Sequence, residues 1–115
     1  MTLKIRSCYF VTMIMYIEDV TVTELYNKHV LVRLDLNVPI RNGIVEDRAR
    51  ILAAIPTLHY LIDCRSKVII ITPLGRPKGR VDESFRLDPL QQILSDEMGQ
   101  MVKKLDDCIG EEVHE

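Results

Sequence analysis

Two short runs of branched apolar residues flank a single helical pattern: Val30-Leu31-Val32-Arg33-Leu34 on one side, Lys67-Val68-Ile69-Ile70-Ile71-Thr72 on the other. Neither run alternates cleanly, and unbroken Val/Ile/Leu stretches suit strands covered on both faces, as in a parallel sheet. Between them Ile51, Leu52, Ile55, Leu58, Leu61 and Ile62 recur at helical spacing, and Asp47 stands where an N-cap belongs. Pro56 falls inside that pattern and predicts a kink or local break, because its ring removes a backbone donor. Strand, helix and strand in this order predict parallel pairing with a right-handed crossover.

Downstream, a long loop from Pro73 to Leu87 is punctuated by Pro73-Leu74-Gly75-Arg76-Pro77-Lys78-Gly79. Asp88 then predicts an N-cap and Pro89 the first helical residue. Leu90, Ile93, Leu94 and Met98 supply an apolar face, and Gly99 ends the helix. Gln100 to Leu105 predicts a third strand. The expected fold class is α/β: a partial Rossmann-like, three-layer parallel sheet in the order β-α-β-α-β. Three strands leave two unpaired edges that invite association, so the pattern reads as part of a larger sheet.

A chain of 115 residues accommodates one domain. Its 47% hydrophobic and 28% charged residues exclude a disordered tail or a fibrous chain. A formal net charge of −2 gives no global attraction to nucleic acid or to an anionic membrane, and neither is an expected partner. Cys8, Cys64 and Cys108 are widely separated and contain no CxxC. Neither a disulfide framework nor a zinc ribbon is supported, no metal site is expected, and the expected compartment is reducing and cytoplasmic. The apolar stretch from Cys8 to Ile17 follows Lys4 and Arg6 but is too short to span a bilayer. It also lacks a small-residue cleavage site before Glu18-Asp19-Val20. Residues 1–16 are therefore expected to be an N-terminal extension or an early start, ahead of a domain over residues 17–115.

In open α/β folds, ligands sit beyond the carboxyl ends of the strands. After the first strand come Asp35, Asn37 and Pro39; after the second come Gly75, Arg76, Lys78 and Arg80; Arg50 opens the intervening helix near the same rim. Carboxylate and carboxamide groups accept hydroxyl hydrogen bonds, and guanidinium forks pair bidentately with carboxylate or phosphate. The set suits a small hydroxylated anion. Two blander readings stay open: Asp35-Leu36-Asn37 as a hydrogen-bonded turn, and Gly75 to Arg80 as a solvated basic loop. Neither a GxxxxGK[ST] loop nor a strand-following GxGxxG occurs.

Arg33-Leu34-Asp35-Leu36-Asn37-Val38-Pro39 resembles the opening signature of phosphoglycerate kinases. The resemblance continues through Asn42-Gly43, the run Arg50-Ile51-Leu52-Ala53-Ala54-Ile55-Pro56-Thr57-Leu58, and Leu74-Gly75-Arg76-Pro77-Lys78-Gly79. It ends with Glu83-Ser84-Phe85-Arg86-Leu87 and Asp107-Cys108-Ile109-Gly110, in family order, covering about residues 17 to 112. What it implies is an enzyme of glycolysis with two Rossmann-like domains, exchanging a phosphoryl group between ATP and the carboxylate of 3-phosphoglycerate. The products are ADP and 1,3-bisphosphoglycerate. Asp35 and Asn37 would orient the hydroxyl and carboxyl end of 3-phosphoglycerate. Arg50 would face the carboxylate and the transferring phosphoryl group, as the one catalytic residue in this stretch, while Leu74, Gly75 and Arg76 would hold the substrate's own phosphate.

Two departures qualify that picture. The family's loop begins Ser-His-Leu-Gly-Arg-Pro, whereas this one reads Thr72-Pro73-Leu74-Gly75-Arg76-Pro77, so an imidazole donor is replaced by a stiff ring. The chain also ends at Glu115, before the hinge and the nucleotide-binding domain of such kinases. Residues 17–115 are thus expected to be an incomplete acid-binding domain, a fragment inert by itself. Mg-ATP or Mg-ADP would serve the complete enzyme but not bind this chain alone. Its expected partners are 3-phosphoglycerate and, as a separate chain, the remainder of the kinase. The alternative is a non-enzymatic remnant serving as a binding or interaction module.

Overall fold

The computed structural model describes residues 15–114, and most of the expected N-terminal extension lies outside the described residues. A 3-10 turn at Ile17–Asp19 leads into α1 (Val22–Leu25), β1 (His29–Arg33), β2 (Ile40–Arg41) and β3 (Ile44–Val45). Then come α2 (Ala49–Asp63), β4 (Lys67–Ile71), a 3-10 turn at Glu83–Phe85, α3 (Asp88–Met98) and α4 (Glu111–His114).

Both apolar runs form strands, and they pair in parallel from His29↔Lys67 to Arg33↔Ile71, with α2 as the crossover. The ladder runs one residue further, where the Leu34 amide donates to the Ile71 carbonyl at 3.0 Å. Alternate residues separate the faces. Val30, Val32, Val68 and Ile70 pack inward against the cores, whereas Leu31, Ile69 and Ile71 stay exposed.

The main core joins Leu36, Val38 and Val45 to Ile51 and Leu58 of α2 and to Leu90, Ile93, Leu94 and Met98 of α3. Each fully buried aliphatic side chain contributes about 1.5–3 kcal/mol relative to exposure. A smaller cluster of Leu25, Leu61 and Cys64 fastens the N-terminal turns to the other end of α2.

Several expectations need correction. Gln100 to Leu105 is not a strand: among the described residues the parallel sheet has two strands, not three. At its centre the Val102 amide donates to Ser95 Oγ at 3.0 Å, and its carbonyl accepts from Gln91 Nε2 at 2.9 Å. Side chains of α3 thereby take the groups a ladder would have used. Pro56 does not break α2, which runs unbroken through it. Leu52, whose carbonyl loses its partner, is 48% exposed, so water can satisfy that group. The N-caps also shift by one: Arg48 precedes α2 and Leu87 precedes α3. Asp47 still works as a cap, its Oδ1 accepting from the Ala49 amide at 2.8 Å. The hairpin β2–β3 was not anticipated, although Asn42 (φ 51) and Gly43 (φ 75) carry the two positive φ angles a tight two-residue turn demands.

Candidate functional site

Side chains alternate along Asp35-Leu36-Asn37-Val38. Leu36 and Val38 are buried in the main core, which leaves Asp35 and Asn37 facing outward beyond the carboxyl end of β1. Arg50 is the second residue of α2 and sits beside Ile51, which is fully buried and fixes that turn of helix. The packing therefore delivers Arg50 to Asp35: Nη1 lies 2.5 Å from Oδ2, with both side chains more than half exposed.

The loop after β4 is tied to the same rim by two long-range hydrogen bonds. Thr72 Oγ1 accepts from the Leu36 amide at 3.0 Å and donates to the Pro73 carbonyl at 3.1 Å. Asn37 Oδ1 accepts from the Gly75 amide at 3.0 Å. Leu74 packs its side chain on the main core, so its backbone is the part left for the rim. Asp35, Asn37, Arg50, Leu74 and Gly75 thus meet at one end of the sheet.

Arg76 follows directly, is exposed, and forms no ion pair or side-chain hydrogen bond among the described residues. Lys78 and Arg80 are exposed on the same loop. The turn reading also holds locally, since Asp35 Oδ1 accepts from the Asn37 amide at 3.3 Å. One Asp35 oxygen closes the turn while the other holds Arg50. Thr72 is a residue whose role sequence reasoning missed. Its signal was a hydroxyl at the last position of an apolar run, where a strand end needs a donor or acceptor for its neighbour.

A second polar cluster lies where the long loop returns to α3. Arg86 forks onto Glu83 through Nε and Nη2, each at 3.1 Å, and donates from Nη1 to the Asp106 carbonyl at 3.1 Å. Lys104 Nζ bridges Asp88 at 3.2 Å and Asp106 at 3.0 Å. Hydrogen bonds from Arg86 and Lys104 hold the Glu83 and Asp106 carboxyls below their ordinary range. Reciprocally, Glu83 raises Arg86, and Asp106 followed by Asp88 raises Lys104. The Ser84 hydroxyl and amide hold Asp82 low in the same way.

Comparison with known proteins gives one family. The family model described as phosphoglycerate kinase matches residues 17–115. The phosphoglycerate kinase of Dictyoglomus turgidum is 53% identical over 95 residues, covering 83% of this chain and 24% of that protein. That of Moorella thermoacetica is 52% identical over 90 residues, covering 78% and 23% respectively. Among solved structures, phosphoglycerate kinase from Pyrococcus horikoshii superposes with a TM-score of 0.67 at 33% identity, over 78% of this chain and 21% of that one. The Coxiella burnetii enzyme gives 0.64 at 39% identity, over 66% and 20%. The chain thus spans about a quarter of the length of the curated relatives it matches.

Proposed function

The chain belongs to the phosphoglycerate kinase family, and we propose that it carries the 3-phosphoglycerate side of that family's phosphoryl transfer between ATP and the acid's carboxylate. The observation that supports this most is the pair of ties made by the segment after β1, from Asp35 to Arg50 at the start of α2 and from Asn37 to Gly75 after β4. It gathers a carboxylate, a carboxamide and a guanidinium around one patch, with the basic loop opening at its edge. Exposed ion pairs contribute only about 0.2–1 kcal/mol, so Arg50 is held in place yet easily shared with an incoming anion.

In this reading Asp35 and Asn37 accept from the acid's hydroxyl and orient its carboxyl end. Arg50 swings one donor from Asp35 to the carboxylate and neutralises the phosphoryl group transferred there. Arg76 and the Leu74–Gly75 backbone hold the distal phosphate. Phosphoryl transfer asks little covalent chemistry of the protein, so positioning and charge neutralisation are what these residues supply.

Among the described residues no group of three or more His, Cys, Asp or Glu could hold a metal ion. No step is assigned to nucleotide on this chain, which on this reading binds the acid only. Among the described residues no helix is long and apolar enough to cross a membrane. We place the chain in the cytoplasm, where glycolytic substrates are held.

A calorimetric titration tests the reading. Saturable heat with 3-phosphoglycerate and none with Mg-ATP supports it; nucleotide binding, or no acid binding by a folded chain, refutes it. The exposed Leu31, Ile69 and Ile71 favour a second reading, an interaction module whose open sheet face is covered by another polypeptide, such as a separate remainder of the kinase. Leu31→Lys abolishing co-association with that polypeptide while sparing acid binding would favour it.

A further inference from the structure

We infer that Phe85, which carries no charge and no side-chain hydrogen-bonding group, positions the anion-facing loop by seating its ring on Gly75. The inference rests on the acid-binding reading above and extends it to a residue beyond the rim. Gly75 adopts φ 60, and a Cβ built on it would fall on the Phe85 ring at Cδ1, Cε1 and Cζ. The ring therefore occupies the space that a side chain at position 75 would need. Gly75 is held by this ring and, through its amide, by Asn37 Oδ1.

The contact closes the neck of a loop. Every residue from Arg76 to Ser84 is exposed, whereas Gly75 and Phe85 at its two ends are half-buried. Arg76, Lys78 and Arg80 all ride on that loop, so its neck sets where their charges point. Phe85 is in turn fixed by its own turn. Asp82 Oδ1 accepts from the Ser84 amide at 2.9 Å, and the Arg86 fork on Glu83 and the Asp106 carbonyl anchors the following residue. The second polar cluster thus acts as the mount for the ring, although none of its charges lies on the rim. Phe85 touches no reacting atom and is a positioning residue.

Proton NMR of the full chain tests this without relying on a ligand. A ring stacked on Gly75 moves its α protons upfield of the ordinary glycine position, and Phe85→Leu and Phe85→Ala abolish that shift. In Phe85→Ala the Gly75 amide exchanges about tenfold faster, while amides inside α2 are unchanged and report an intact fold. The dissociation constant for 3-phosphoglycerate rises about tenfold. Arg76→Ala then costs less in the Phe85→Ala background than in the parent, because both act through one loop. Unshifted Gly75 α protons in the parent chain, or unchanged Gly75 exchange in both variants, overturns the inference. Faster exchange with unaltered acid affinity overturns it too, reducing Phe85 to a structural contact. If Phe85→Ala unfolds, Phe85→Leu and the parent's own ring shift still decide. If the parent binds no acid, the functional reading fails while the shift and exchange still judge the contact.

Discussion

Arg50 separates stability from binding. Its pair with Asp35 is exposed on both sides, so Arg50→Ala is expected to change folding stability by no more than about 1 kcal/mol. Losing a charged hydrogen bond to a bound carboxylate instead costs about 1.5–3 kcal/mol, or roughly one to two orders of magnitude in acid affinity. Denaturant unfolding beside calorimetry checks the split; equal losses in both would make Arg50 a structural residue. Pro73 gives the opposite test. The resemblance places a histidine at this position in such kinases, and on the proposed reading Pro73→His is expected to tighten 3-phosphoglycerate at least about tenfold. Unchanged affinity would mean that the remaining loop residues already satisfy the anion. The rim residues were readable because Asp35 and Asn37 alternate with buried Leu36 and Val38, a pattern that forces them outward. Thr72 and Phe85 were not, because a strand-end hydroxyl and a lone aromatic acquire their roles only when a distant segment is brought against them.

Local patterning carried β1, β4, α2 and α3 to within two residues, the strands as unbroken runs of branched apolar residues and the helices through apolar residues at helical spacing. It failed at Gln100 to Leu105, where tertiary bonds from Ser95 and Gln91 replace a ladder, and at β2–β3, whose strands are too short to show a period. Pro56 tests what an element tolerates. Replacing it by alanine restores a donor for the Leu52 carbonyl and is expected to stabilise the chain by about 1–3 kcal/mol. Thermal unfolding measures this, and a lowered midpoint would show that the proline shapes the helix usefully. The turn bearing Phe85 is expected to depend on pH. Asp82, Glu83 and Asp106 have folded-state values depressed below their unfolded ones. Their contribution is therefore complete above the unfolded carboxylate range near about pH 4 and is lost as pH falls through the folded values. Arg86 and Lys104 are raised, so their contribution is full at neutral pH and fades only as strong alkali deprotonates them. The Ser84 amide resonance, followed from pH 7 downward, should hold steady until below the ordinary aspartate range; a midpoint above it would contradict the hydrogen bonding found here.

Among the described residues a core lies on one face of a two-stranded parallel sheet and exposed apolar side chains lie on the other. The α/β class was legible in the two apolar runs, whereas the third strand expected at Gln100 to Leu105 does not form among the described residues. Continuous apolar runs announce burial on both faces, and the described residues cover only one. The site escapes this shortfall because its parts hang from the covered face. Leu36, Val38, Ile51 and Leu74 pack on the main core, and their neighbours Asp35, Asn37, Arg50 and Gly75 are carried to the rim with them. The rim should therefore be preformed in the 115-residue chain. Amide ¹H–¹⁵N spectra recorded as 3-phosphoglycerate is added test that most directly. Dispersed peaks with saturable shifts confined to Asp35, Asn37, Arg50, Gly75 and Arg76 are the expected result; a dispersed spectrum in which those amides stay still would contradict it.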